Sequence, residues 1–234
     1  GWPRLKRLLA RAFHRPRCRL PDPRTARLTL KGLADVGLMS MGHCSVQQSD
    51  GLDHDHGTLI LLGPDEPAFW GLFSASPEYL DGNPDPMDRW SRRMIDAIAT
   101  KTGGVAYYPF GGPPFQPFYT WALRSGRAWA SPLGFLVHDI AGLFASYRGA
   151  VWVPEQLTPE TSLSPCATCP APCKTACPVD ALAATYNVDA CKTYLATKAG
   201  THCMTKGCAA RRACPVGATR RLPAQAAFHM EAFL

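Results

Sequence analysis

The sequence predicts an α/β domain, in the broad sense that includes α+β, over residues 25–157, followed by a small cysteine-held module over residues 158–222. Three observations point there. Short apolar runs alternate with amphipathic stretches through the first part, and eight of the ten cysteines crowd between Cys166 and Cys214. A proline-bounded stretch, residues 154–165, reads as the linker between them. With 234 residues, 46% of them hydrophobic, the chain can bury one large core and hold a smaller unit beside it.

The elements follow in chain order. Residues 1–24 form a basic arm: Arg4, Lys6, Arg7, Arg11, Arg15, Arg17 and Arg19 precede the first acid, Asp22. Within it Trp2, Leu5, Leu8, Leu9 and Phe13 recur at helical spacing, which suits a helix docked on the domain, or else a membrane surface or acidic partner. Pro16, Pro21 and Pro23 end that helix. A helix is expected at residues 25–34 and a strand at 36–41. Thr58-Leu59-Ile60-Leu61-Leu62 reads as a strand buried on both faces. Asp85-Pro86 opens a helix whose apolar face is Met87, Trp90, Met94, Ala97 and Ile98, ended by Gly103-Gly104. Residues 105–110 read as a buried strand, residues 118–124 as a helix stopped by Gly126, and residues 136–138 and 150–153 as short strands. Residues 223–234 are left as a tail.

The cysteines carry the chemistry. They run Cys166-x2-Cys169-x3-Cys173-x3-Cys177-Pro, then Cys191, then Cys203-x4-Cys208-x5-Cys214-Pro. Eight thiolates is the ligand count of two 4Fe-4S clusters, and two cysteines are followed by proline. Structural zinc sites usually stop at four ligands and have no use for those prolines. A disulfide framework suits an oxidising compartment and a domain too small for a core. The formal charge is +7, and two clusters at about −2 each would bring it near +3, so the basic balance says little for nucleic acid. No apolar run approaches the roughly 18 residues that span a bilayer, and the expected location is cytoplasmic. The α/β part has no GxGxxG, GxxxxGK[ST], HExxH or GxSxG, which disfavours Rossmann and P-loop enzymes. His54 and His56, in Asp53-His54-Asp55-His56, are metal candidates against the commoner reading of a solvated loop. Cys44, beside His43, is a candidate reactive thiol against the commoner reading of a packed one.

The run ending Cys177-Pro178-Val179-Asp180-Ala181-Leu182 resembles that of bacterial ferredoxins, where three close thiolates hold one cluster and the Cys-Pro thiolate crosses to the other. That likeness implies Cys166, Cys169, Cys173 and Cys214 on one cluster and Cys177, Cys191, Cys203 and Cys208 on the other. The order of the two parts, with Cys191-Lys192-Thr193-Tyr194-Leu195 about fourteen residues after Cys177, resembles the cobalamin-dependent epoxyqueuosine reductases and reductive dehalogenases over residues 161–216. Separately, residues 31–154 look like the cytoplasmic cobalamin-processing chaperone. That likeness is carried by Gly134-Phe135-Leu136-Val137-His138, then Gly142 and Arg148-Gly149, with Thr58-Leu59-Ile60-Leu61-Leu62 and Tyr107-Tyr108 in the same order.

The resemblances imply a nitroreductase-like fold holding a corrinoid, with His138, Gly142, Arg148 and Gly149 at its pocket. Arg148 would grip a carboxylate, amide or phosphate with its planar fork. The chain departs from epoxyqueuosine reductase at Tyr108-Pro109-Phe110-Gly111-Gly112-Pro113-Pro114-Phe115-Gln116, where no carboxylate is present to act as general acid, which argues against that reaction. The expected function is an iron-sulfur oxidoreductase that takes electrons from a redox donor and passes them at low potential to a corrinoid. A flavin-dependent reductase on the same scaffold, or a ferredoxin-type carrier whose first domain only docks a partner, are the alternatives. Phe115, Phe118, Tyr119 and Trp121 would line a cofactor pocket under the first two readings or be plain core.

Overall fold

The computed structural model describes residues 32–183 and 185–234. The basic arm and most of the helix expected at residues 25–34 lie outside the described residues, as does Cys18. Strand β1 (Leu38–Ser45) pairs antiparallel with β2 (Thr58–Pro64), β2 with β6 (Gly149–Val153), and β6 with β3 (Val105–Tyr107), giving the order β1-β2-β6-β3. A second antiparallel pair joins β4 (Ala128–Ala130) to β5 (Leu136–His138). Every strand pairing among the described residues is antiparallel, so the class is α+β. Helices α1 (Ala68–Ser74), α2 (Pro77–Leu80) and α3 (Pro86–Thr102) follow β2, and α4 (Phe118–Arg124) precedes β4.

The apolar run of β2 follows from burial on both faces, although its neighbours are antiparallel. Ile60 and Leu62 pack with Phe69 and Phe73 of α1, Trp90, Ile95 and Ala99 of α3, and Val151 and Val153 of β6. Leu59 and Leu61 point the other way, to Phe118, Trp121 and Ala122 of α4, Ala128 of β4 and Ala150 of β6. An antiparallel strand with cover on both sides loses its period-two signature just as a parallel one does.

Several elements differ from the sequence expectation. The strand expected at 36–41 starts later and continues to Ser45 past a register shift between Ser40 and His43, where Gly42 takes φ +99°. The strand expected at 105–110 ends at Tyr107; it lies at the sheet edge, with Val105 39% exposed, rather than buried. On α3 the buried face is Met87, Trp90, Ser91, Ile95, Ala99 and Thr102, whereas Ala97 is exposed. Ser91 is tolerated there because its hydroxyl donates to the Met87 carbonyl at 2.6 Å. Strand β4 and helices α1 and α2 carried no clear sequence pattern.

The cysteine part is helical among the described residues: α5 (Val188–Leu195), capped by the Asn187 side chain, α6 (Thr201–Lys206) and α7 (Ala209–Arg212). Residues expected as a tail form α8 (Pro223–Glu231), whose Phe228 packs among Trp70, Phe73 and Tyr79 of the first domain. No helix among the described residues is long and apolar enough to cross a membrane.

Candidate functional site

The eight clustered cysteines separate into two groups by place. Cys166, Cys169 and Cys173 sit on the irregular chain leading into a 3-10 turn at Pro172–Lys174, and Cys214 follows α7. These four line one cavity, of about 20 Å³, together with Val137 of β5 and Leu143. Cys177, Cys191 in α5, Cys203 in α6 and Cys208 at the head of α7 line a second cavity, of about 370 Å³, walled also by Phe135, Phe144, Arg211, Arg221, His229 and Met230. Burial raises the pKa of the Cys166 and Cys173 thiols first, and the charges of group-mates raise them further: Cys169, Cys214 and Cys173 for the former, Cys214 and Cys169 for the latter. Cys191 is likewise raised by burial, then by Cys208, Cys177 and Cys203, against a lowering contribution from the Tyr186 hydroxyl. The nine described cysteines form no disulfide. No three His, Cys, Asp or Glu side chains among the described residues converge closely enough to hold a single metal ion.

Backbone geometry fixes these positions. Asp180 donates its N–H to the Cys177 carbonyl, Gly207 to that of Cys203 and Arg212 to that of Cys208, so Cys177, Cys203 and Cys208 each open or close a turn. The turn at Cys214 is locked against the loop after β5 by two glycines. A Cβ on Gly142 (φ +56°) would lie 1.9 Å from the Val216 carbonyl oxygen and 3.1 Å from the Cys214 sulfur, and one on Gly217 (φ +68°) would lie 2.6 Å from Ala141. Any side chain at Gly142 would push the Cys214 turn away.

His138 and Gly142, expected at a ligand pocket, do meet, through a β-bridge. His138 is fully buried, and its Nδ1 accepts the N–H groups of Ile140 and Ala141 at 3.1 and 3.3 Å, shaping the loop that carries Gly142. Nδ1 also lies 3.1 Å from Asp139, but a ring accepting two N–H bonds there is neutral, so that contact is no ion pair. Burial draws its pKa down to about 4. A neutral buried histidine gives stability that is whole above the ordinary value near 6.5 and is lost as pH falls toward the folded value. Melting of the wild type from about pH 7 to about pH 5 should therefore fall more steeply than that of His138→Asn, whose amide oxygen can accept the same N–H bonds without titrating. Equal slopes would show that His138 is not the group involved.

Arg148 and Gly149 go elsewhere. The Arg148 guanidinium donates to Ser91 Oγ at 2.9 Å and to Asp88 of α3, and stacks over Phe110. A Cβ on Gly149 would meet Ile95 Cδ1 at 2.6 Å, so its smallness serves close packing of β6 on α3. None of the four lines either of the two cavities described above, and the fork of Arg148 is already engaged. Comparison with protein-family models, curated proteins and solved structures gave no match.

The remaining candidates have structural partners. His54 stacks flat on Trp152 at 3.6 Å, and His56 pairs with exposed Asp55. Cys44 is buried, which raises its pKa despite a contact from Arg124 at 3.6 Å, while His43 is held by Glu160 and the Thr158 carbonyl. Phe118 and Trp121 are core, and Phe115 and Tyr119 are exposed. Arg211, Arg221 and His229 on the larger cavity escaped the sequence reading. The available signal was the Arg211-Arg212 pair set inside the cysteine run.

Proposed function

We propose that this chain is an iron-sulfur oxidoreductase that carries low-potential electrons through two 4Fe-4S clusters. Cys166, Cys169, Cys173 and Cys214 would hold one and Cys177, Cys191, Cys203 and Cys208 the other, in a ferredoxin-like module beside a nitroreductase-like domain. The carrying observation is the sorting of the thiols against sequence order. Cys177 groups with the later cysteines and Cys214 with the earlier ones, which is the crossing expected of Cys-Pro ligands. A cluster is bulkier than an ion, so its ligands ring a space rather than meet at a point, and the larger cavity suits that. The smaller is tighter, and Cys166 and Cys169 on its wall are only partly buried. When bound, the clusters supply one-electron chemistry at low potential, and the chain's own residues hold them and shield them from water.

A corrinoid is the acceptor implied by the resemblances, in a reducing compartment such as the cytoplasm, with a low-potential protein as donor. His138, Gly142, Arg148 and Gly149 do not fit as its shared seat, so no step is derived through it. The engagement of Arg148 favours a second reading, an electron carrier whose α+β domain docks a partner. Anaerobic reconstitution should give about eight irons and eight sulfides per chain. Four irons or fewer would overturn the two-cluster reading. Spectral titration of that sample with cobalamin and with flavin then separates the acceptors: a shift with cobalamin supports the corrinoid, a shift with flavin supports a flavin reductase, and silence with both supports the docking domain.

A further inference from the structure

The two cavities differ in charge. Among the described residues, the wall of the smaller has no charged side chain apart from the cysteines themselves, whereas Arg211 and Arg221 line the larger. The charge of Arg221 is matched, because its guanidinium lies 2.6 Å from Glu66 and both are only 7% exposed. Arg211 has no such match. It donates to the Leu143 carbonyl at 2.8 Å and stacks over Phe135 at 4.7 Å, and no carboxylate among the described residues lies within ion-pair distance. Arg211 is partly buried, and a partly buried cation with only neutral partners is disfavoured unless an anion sits beside it. Cys208, one of the ligands assigned above, lies three residues before Arg211, at the head of α7, and lines the same cavity.

Resting on the two-cluster reading above, we propose that Arg211 makes the clusters unequal, so that the one held by Cys177, Cys191, Cys203 and Cys208 is reduced at the higher potential. Reduction adds one negative charge to a cluster, and a fixed, partly buried cation in the wall favours the reduced form over the oxidised one. The cluster held by Cys166, Cys169, Cys173 and Cys214 would have no counterpart to that cation among the described residues and would lie lower. An electron taken by the lower-potential cluster from a one-electron protein donor would leave it, reoxidising it, and reduce the cluster beside Arg211. That orders the path: entry on the Cys166 side, residence on the Cys208 side, next to Phe135 and Phe144 of the first domain.

The test is a potentiometric EPR titration of the reconstituted full chain, with the two signals assigned by Cys166→Ser and Cys208→Ser. The signal lost in Cys208→Ser is expected at the higher potential. Arg211→Gln, which keeps a donor for the Leu143 carbonyl, should weaken reduction of that cluster at least tenfold, about 59 mV for one electron, and leave the other unmoved. Arg211→Lys, which keeps the charge, should restore most of the difference. Equal potentials in the wild type, the reverse order, or a shift of both clusters alike in Arg211→Gln would overturn the proposal. The wild-type order keeps the proposal open to refutation even if the variant fails to fold. Eight irons with equal potentials would defeat the Arg211 inference alone, whereas an iron count well below eight would defeat the cluster reading beneath it.

Discussion

Cys177→Ser is expected to abolish the same EPR signal as Cys208→Ser, and Cys173→Ser the other one, with each variant losing up to about half of the bound iron. The expectation separates place from sequence. Cys173 and Cys177 are neighbours in the chain, four positions apart, and a zinc knuckle or any local metal loop would use them together. In the folded protein they face different cavities: Cys173 with Cys214 under Val137 and Leu143, Cys177 with Cys191, Cys203 and Cys208. Pro178 and Pro215 follow the two cysteines that cross over; each fixes its own φ and contributes no N–H, so the chain turns away just after the ligand. Serine is the informative replacement, because it changes one ligand atom and little volume. If Cys177→Ser and Cys173→Ser remove the same signal, the pairing assigned from the cavities is wrong even if the iron count is right.

The cysteine groups were legible because a Cys-Pro signature is local and its consequence is topological. Strand β2 and helices α3 and α4 were legible for a related reason: an apolar run of five, an Asp-Pro opening and a Gly close are read within one element. The rest depends on partners distant in sequence. The β3 segment reads as buried because Val105, Tyr107 and Tyr108 are apolar, but nothing among the described residues pairs beyond it, and edge position cannot be read from composition. Arg148 looked free to grip a ligand; Asp88 and Ser91, far away in the chain, take it. Gly142 was noticed as part of a family-like pattern, yet its observed reason is the carbonyl of Val216 lying where a Cβ would go. The place of Arg211 depends on a cavity walled by residues from distant parts of the chain, which no local pattern reveals.

The tail that became α8 carries the largest stability prediction. Glu66 accepts from Arg221 Nε and Nη2 at 3.0 and 2.6 Å and from Gln225 Nε2 at 2.8 Å, while Arg221 also donates to the Phe144 carbonyl at 3.0 Å and stacks over the Phe144 ring. Glu66 and Arg221 are 7% exposed and Gln225 is fully buried, so Glu66→Ala leaves a guanidinium and an amide buried without their acceptor. Breaking one side of such a pair costs about 3–5 kcal/mol. The neighbouring Arg220–Asp65 pair, at 3.1 Å and about a third exposed, is the internal contrast. Asp65→Ala should cost no more than about 1 kcal/mol, since water screens it. Denaturant unfolding of both variants checks the ranking, and near-equal costs would mean that the Glu66 contact is not shielded as described. Because α8 also places His229 and Met230 in the wall of the larger cavity, Glu66→Ala should loosen that wall. The iron held by Cys177, Cys191, Cys203 and Cys208 should then be lost to a chelator faster than in the wild type, with the other four irons released at an unchanged rate. Equal acceleration at both sites would point to general unfolding rather than to detachment of α8.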